Sequence, residues 1–173
     1  MSLNPLIFFS FYFLILTSTI GYGYLIVNIT KLQKDNLSFA YLGLFGIFFL
    51  IFYSYLSHYF IAHNYLNNSI ILILGIFVFI INFFYENKKK DIVFLYLFFL
   101  ILFIGVLIFK SHDDFFYYHF PYTYYLTQSN ILIGTGNFNH GFRTPSSIFY
   151  LNSLFYLPYA SYYLFSVGVA LIM

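Results

Sequence analysis

Cysteine and tryptophan are both absent from this 173-residue chain, and Asp, Glu, Lys and Arg together supply only 7% of it. Without cysteine there is no disulfide framework, no thiol nucleophile and no Cys-based metal site. A soluble domain carries about a quarter charged residues, so this chain cannot cover a water-facing surface. Its seven basic residues are too scattered for a phosphate-binding patch, which excludes nucleic acid as the expected partner. What remains is 62% hydrophobic, with a mean hydropathy of +0.85. The expected solvent is a lipid bilayer.

Alanine is scarce as well, while Phe, Tyr, Ile, Asn and Lys are abundant. That is the usage of a very AT-rich genome, so the 27% aromatic content is weak evidence for a ligand platform. The apolar residues fall into runs at 6–27, 38–61, 69–85 and 92–109. Each is read as a membrane helix, because roughly 20 residues at ~1.5 Å per residue cross a ~30 Å hydrocarbon core. No basic segment precedes Leu6 and no small-residue cleavage site follows the first run, so it is not a signal peptide. Gly43 and Gly46 form a small-residue stripe on the second run. His58 and His63, at its end, read as interfacial residues.

Lysine places the connections. The 28–37 loop holds Lys31 and Lys34, the 86–91 loop holds Lys88, Lys89 and Lys90, and the 62–68 loop holds none. Basic loops stay in the cytoplasm. The N-terminus and the 110–147 stretch are therefore expected outside. The lysine triplet reads as a boundary anchor before it reads as a lipid-headgroup site.

The chain concentrates its polar chemistry in 110–147. Asp113, Asp114, His112, His119, His140 and the only arginine, Arg143, all lie there. A first part is acidic and aromatic, DDFFYYHFPYTYY, and amphipathic enough to lie at headgroup depth. One aspartate, Asp113 more readily than Asp114, is expected to cap this helix, and Pro121 to interrupt or kink it. A second part, GTGNFNHGFRTPSS, is rich in turn residues and matches neither a phosphate loop nor a dinucleotide fingerprint. A carboxylate and an imidazole at a membrane surface suit acid–base work or a divalent metal. A guanidinium suits a phosphate or carboxylate. From 148 the chain is apolar again and is read as a fifth membrane helix to 173. It stops inside that run, so the chain reads as the N-terminal part of a longer protein. The expected architecture is an all-α polytopic bundle: four membrane helices in 1–109, an extracytoplasmic loop in 110–147, and a fifth helix in 148–173.

The order of an acidic residue after a span, an aromatic amphipathic segment, then another span resembles polytopic glycosyltransferases of the GT-C type. The pattern of Asp114, Tyr118 and His119, then Gly136 and Asn137, then His140, Gly141, Arg143, Ser146 and Ser147, is similar to a large uncharacterised family of bacterial membrane proteins related to those enzymes. The resemblance implies transfer of a sugar from a polyprenyl-phosphate carrier on the outer face of the inner membrane to an envelope glycan, lipid or protein. It implies Asp114 and His119 as catalytic residues, with Arg143, Asn137, His140 and Tyr118 binding substrate. A divalent metal, Mg or Mn, would be held by Asp114, or less favourably by Asp113. The alternatives are a non-catalytic membrane scaffold and a transporter or flippase subunit for envelope glycans.

Overall fold

The computed structural model describes residues 4–32, 37–84, 89–107, 114–131, 133–144 and 146–173. It is all-helical; among the described residues there is no strand, only one isolated bridge between Leu157 and Ser161. Helices α1 (Pro5–Thr30), α2 (Phe39–His58), α3 (Tyr65–Phe83) and α4 (Lys89–Leu107) fall on the four apolar runs of the sequence. By length and composition, α1, α2 and α3 are apolar enough to cross a membrane. They leave large apolar side chains such as Phe48, Phe52, Ile73 and Phe77 exposed, consistent with contact with lipid.

Capping sets the helix ends. Pro5 starts α1 where a missing N–H costs nothing, and the Asn4 side chain accepts from Leu6 N at 3.0 Å. Lys31 closes α1 in a left-handed conformation, φ 55°, its N–H bonding Val27 O. Asn64 caps α3 by accepting from Asn67 N at 3.0 Å.

Helix α1 is the centre of the bundle. Tyr12, Ile15, Ile20, Tyr24 and Val27 are buried along it. It meets α2 and α3 through glycine. A Cβ at Gly21 would overlap the Gly75 carbonyl of α3, one at Gly23 the Leu42 carbonyl of α2, and one at Gly46 of α2 the Thr19 carbonyl of α1. With lipid as apolar as any side chain, such close backbone approach is what drives helices together. The small-residue stripe read from sequence is half right: Gly46 is a contact, whereas Gly43 faces open space. Against α1, α4 packs by rings, with Tyr12 stacked on Phe99 at 4.0 Å and Phe13 on Tyr96 at 5.6 Å. Tyr12 also donates to Phe99 O at 2.8 Å.

The two ends of the bundle differ. Asn28 Nδ2 donates to Asn82 Oδ1 at 3.0 Å, joining the end of α1 to the end of α3. The helix ends that lead into the two lysine-bearing connections therefore lie together. At the opposite end lie the α2–α3 connection and everything after 114, tied to it by Ile131 N donating to His58 O at 3.0 Å.

The expected fifth helix at 148–173 is not a single helix. The chain forms α6 (Ser147–Ser153), a 3₁₀ turn at Tyr162–Leu164 and α7 (Val167–Ile172). Seven residues of α6 rise only about 10 Å. Pro158 disfavours helix in the residue before it. The turn after it closes with Tyr159 and Ser161 at positive φ, 64° and 47°, and Ser161 N donating to Leu157 O at 2.8 Å. The segment is nonetheless core: Leu151, Leu157, Leu164 and Val167 are all buried.

The glycine contacts predict an asymmetry. Gly46→Leu should lower the thermal midpoint in detergent by the equivalent of about 1–3 kcal/mol or more, because backbone must move. Gly43→Leu should stay within about 0.5 kcal/mol of the parent.

Candidate functional site

The acidic-aromatic segment begins as a π-helix, Phe115–His119, and continues as α5, Phe120–Gln128. Pro121 does not end it: it stands in the first turn of α5, where the winding changes from π to α. Pro121 has no N–H to give the carbonyl four residues earlier, which is Tyr117 O. That carbonyl instead accepts from Asn139 Nδ2 at 3.0 Å, from the glycine-rich return loop. The same Asn139 side chain accepts from Gly141 N at 2.8 Å and so starts the 3₁₀ turn His140–Arg143. One asparagine thus fills the gap left by the proline and docks the return loop on the helix.

Two further contacts complete the docking. Gly141 lies flat on the Tyr118 ring, where any Cβ would overlap it. Phe142 packs on Tyr122 at 5.1 Å, and Tyr122 on Phe149 of α6 at 5.8 Å. Tyr122, Leu126, Phe149 and Tyr150 form a small second core beneath the loop.

The structure brings most of the candidate residues into this unit. Asp114 is half-buried at the start of the π turn, with helical φ and ψ of −68° and −19°, and makes no side-chain capping bond. The capping role therefore does not fall to Asp114. Asp113 lies outside the described residues. His119 is half-buried, its ring perpendicular to Tyr118 at 4.3 Å and 5.0 Å from Phe149. A π turn closes from residue i to i+5, as Phe120 N–H does on Phe115 O. Asp114 and His119 are thus wound nearer one face than the about 140° that an α-helix sets between residues five apart. Arg143 is exposed and donates from Nε to Gly136 O at 3.1 Å. That bond braces the loop across itself. Asn137 ends the 3₁₀ turn Thr135–Asn137, and both Asn137 and His140 are exposed on the loop surface. Among the described residues no group of three or more His, Asp or Glu is placed to hold a metal ion.

A second polar cluster was hidden in the sequence. His58 and His63, which read as interfacial, are both buried, their rings 5.2 Å apart. His63 Nδ1 lies 2.6 Å from Ser153 Oγ and its Nε2 lies 3.0 Å from Ser57 Oγ. Ser153 spends its hydroxyl proton on Tyr150 O at 2.7 Å. With that hydroxyl as acceptor, Nδ1–H donates to Ser153, and Nε2 pairs with Ser57. The ring is a neutral bridge between α2 and α6. Burial pushes the His63 pKa down to about 3, the neighbouring His58 adds to the effect, and the Ser54 carbonyl weakly opposes it. Beside it, Asn68 of α3 donates from Nδ2 to His63 O at 2.8 Å, Ser153 O at 2.8 Å and Tyr156 O at 3.0 Å. Asn68 thereby ties the start of α3 to the end of α6 and the turn after it. The available signal was the pair of histidines beside a loop without lysine, flanked by Ser54, Ser57 and the Asn67-Asn68 pair.

No family model, curated protein or solved structure matches the chain.

The histidine bridge predicts a pH dependence of definite sign. The folded pKa of about 3 lies below the roughly 6.5 of an unfolded histidine. Its contribution is complete above pH ~6.5 and is lost as pH falls from there toward 3, at about 1.4 kcal/mol per pH unit. His63→Gln keeps hydrogen bonding but does not titrate. Thermal melts of the two proteins between pH 7.5 and 4 should show a shallower acid slope for the variant. Asn68→Ala should cost more than either, because it strips partners from buried carbonyls at about 1–3 kcal/mol for each one left unpaired.

Proposed function

We propose that the chain is a membrane-embedded transferase of the GT-C type, taking a sugar from a polyprenyl-phosphate carrier at the non-cytoplasmic face of a bacterial inner membrane. The observation that carries this reading is the docking of the return loop on the π turn through Asn139 and Tyr117 O. It brings the return loop that carries His140 and Arg143 against the helix that carries Asp114 and His119. The lysine-bearing connections at the opposite end supply its orientation, since basic loops remain in the cytoplasm. The exposed aromatic residues Phe116, Tyr117 and Phe138 suit headgroup depth, where a lipid-linked phosphate resides.

The chemistry assigned to this face is direct displacement. The acceptor hydroxyl attacks C1 of the sugar, the bond between C1 and the phosphate oxygen breaks, and the polyprenyl phosphate leaves with that electron pair. Asp114 takes the proton of the acceptor hydroxyl as general base. Arg143 meets the charge that develops on the departing phosphate. His119 sits on the same π turn as a positioning residue for Asp114. Asn137, His140 and Tyr118 supply hydrogen bonds and a ring face to the sugar. No step is routed through a metal.

The scaffold reading draws on a different observation. The best-connected polar groups, around His63 and Asn68, are sealed in the core and serve only to hold helices together.

Membranes containing the full-length protein should transfer labelled sugar from a polyprenyl-phosphate donor to lipid- or glycan-bound product. Asp114→Asn should lower that rate by about 10²–10⁴-fold, the range for loss of a general base, with unchanged insertion. Asn139→Ala should also lower it, by releasing the loop, and should raise protease cleavage within 133–144. Full activity in Asp114→Asn, or no transfer by the parent from any such donor, would favour the scaffold.

A further inference from the structure

Where α1, α2, α3 and the end of α6 meet, the bundle encloses a cavity of about 10 Å³. Its apolar walls include Leu50 of α2 and Leu154 and Phe155 at the end of α6. Its polar lining is Ser18 and Thr19 of α1 and Asn68 of α3. All six are buried, and the three polar residues are exposed by only 3%, 1% and 1%. One water needs roughly 10–15 Å³ of such space. The cavity has room for a single water and for nothing larger.

The hydroxyl of Ser18 is what gives this cavity a polar character. Serine and threonine inside a helix commonly spend the hydroxyl proton on the carbonyl one turn back. On α1, Ser10, Thr17, Thr19 and Thr30 do so, each at 2.8 Å from the carbonyl four residues earlier. Ser18 is the exception. Its Oγ is turned across to α3, where it is the first atom that a Cβ on Gly75 would meet. Among the described residues no group takes its proton. The other two polar residues are acceptors. Thr19 Oγ1 has given its proton to Ile15 O and keeps its lone pairs. Asn68 spends its amide protons on His63 O, Ser153 O and Tyr156 O. Its Oδ1 accepts from Asn67 Nδ2 at 3.2 Å, and an amide oxygen has a second lone pair. One donor and two acceptors are the complement of a molecule that accepts once and donates twice.

The structure assigns this cavity to one ordered water, which accepts from Ser18 Oγ and donates to Asn68 Oδ1 and Thr19 Oγ1. Three bonds are the usual number for a buried water, whereas a cavity with apolar walls alone stays dry. The water joins α1 to α3 at the residue that holds the end of α6. The central helix and the broken segment after 147 are thereby linked by hydrogen bonds as well as by packing. The site lies inside the bundle and does not depend on the transferase reading.

The test is a density map of the full-length protein at a resolution that shows ordered waters in the core. The parent should carry one peak within hydrogen-bonding distance of Ser18 Oγ, Asn68 Oδ1 and Thr19 Oγ1. Ser18→Ala should weaken that peak, because the water loses its donor and keeps two acceptors. Ser18→Ala combined with Thr19→Val should abolish it, with the helices in place. Thr17→Val, whose parent hydroxyl bonds Tyr96 on the α4 side of α1, should leave it at full strength. A parent map with no peak there overturns the proposal. So does a Ser18 hydroxyl turned back to Leu14 O, or a peak that keeps its strength in both Ser18 variants, since Ser18 and Thr19 then do not hold it.

Discussion

In a hydrocarbon surrounding, every backbone N–H and C=O must find a partner within the protein, because an unpaired one costs several kcal/mol and water is not there to help. The first four helices meet that requirement within themselves. The rest of the chain does not: it turns through a proline-bearing helix, a glycine-rich loop and two short helices of seven and six residues. What makes this possible is a set of asparagine side chains placed where the ladder fails. Asn139 takes the carbonyl that Pro121 leaves open. Asn68 takes Ser153 O and Tyr156 O where α6 stops. Asn152 accepts from Gly168 N at 3.1 Å and so satisfies an N-terminal donor of α7. An amide is suited to this work because it donates and accepts at once and carries no charge to bury.

These bonds also fix the order of dependence. The loop face rests on Asn139, the π turn and the small aromatic core of Tyr122 and Phe149. That core rests on α6. The end of α6 is held by Asn68 of α3 and by the neutral His63 bridge from Ser57 to Ser153. α3 in turn is set against α1 by the Gly21–Gly75 contact. A residue in the bundle interior, such as Gly75 or Asn68, is thereby coupled to the placing of Asp114 through packed, discrete contacts.

Hydropathy alone made the four long helices legible, because a run of some twenty apolar residues has few other outcomes. It failed at 148–173 for a physical reason. The run there is still apolar enough to read as a span, because burial in protein and burial in lipid select similar compositions. Only Pro158, Asn152 and the two residues forced to positive φ mark the difference. The candidate residues of 110–147 were legible as a group, since polar chemistry is scarce enough to stand out. Their connection was not. Asn139 read as one turn former among several, and the abundance of asparagine read as a property of the genome. That Pro121 and Asn139, eighteen positions apart, answer each other follows only once the carbonyl of Tyr117 is located. His58 and His63 read as boundary residues because sequence shows their distance from a span end, not that α5 and α6 close over them.

A pair of broken helices in the core of a bundle is an arrangement that transporters use to coordinate ions and anionic substrates with free helix ends. Here the ends are spoken for. The carbonyls at the close of α6 go to Asn68 and Ser153, and a leading amide of α7 goes to Asn152. His63, in the same cluster, has a serine on each ring nitrogen and is held neutral by burial. An ion entering this region would have to displace uncharged hydrogen bonds that already satisfy the backbone, with no carboxylate among the described residues of α6, α7 or the α2–α3 connection to compensate it. The hydrogen bonds of the break in 147–173 make it a mount for the loop packed on α6. Rigidity in the mount is what a surface such as the Asp114–Arg143 face requires, since acid–base groups act only when held within hydrogen-bonding reach of a reacting atom. The reading that places any chemistry of this chain at the loop face thus rests on a mount whose helix ends are hydrogen-bonded within the protein.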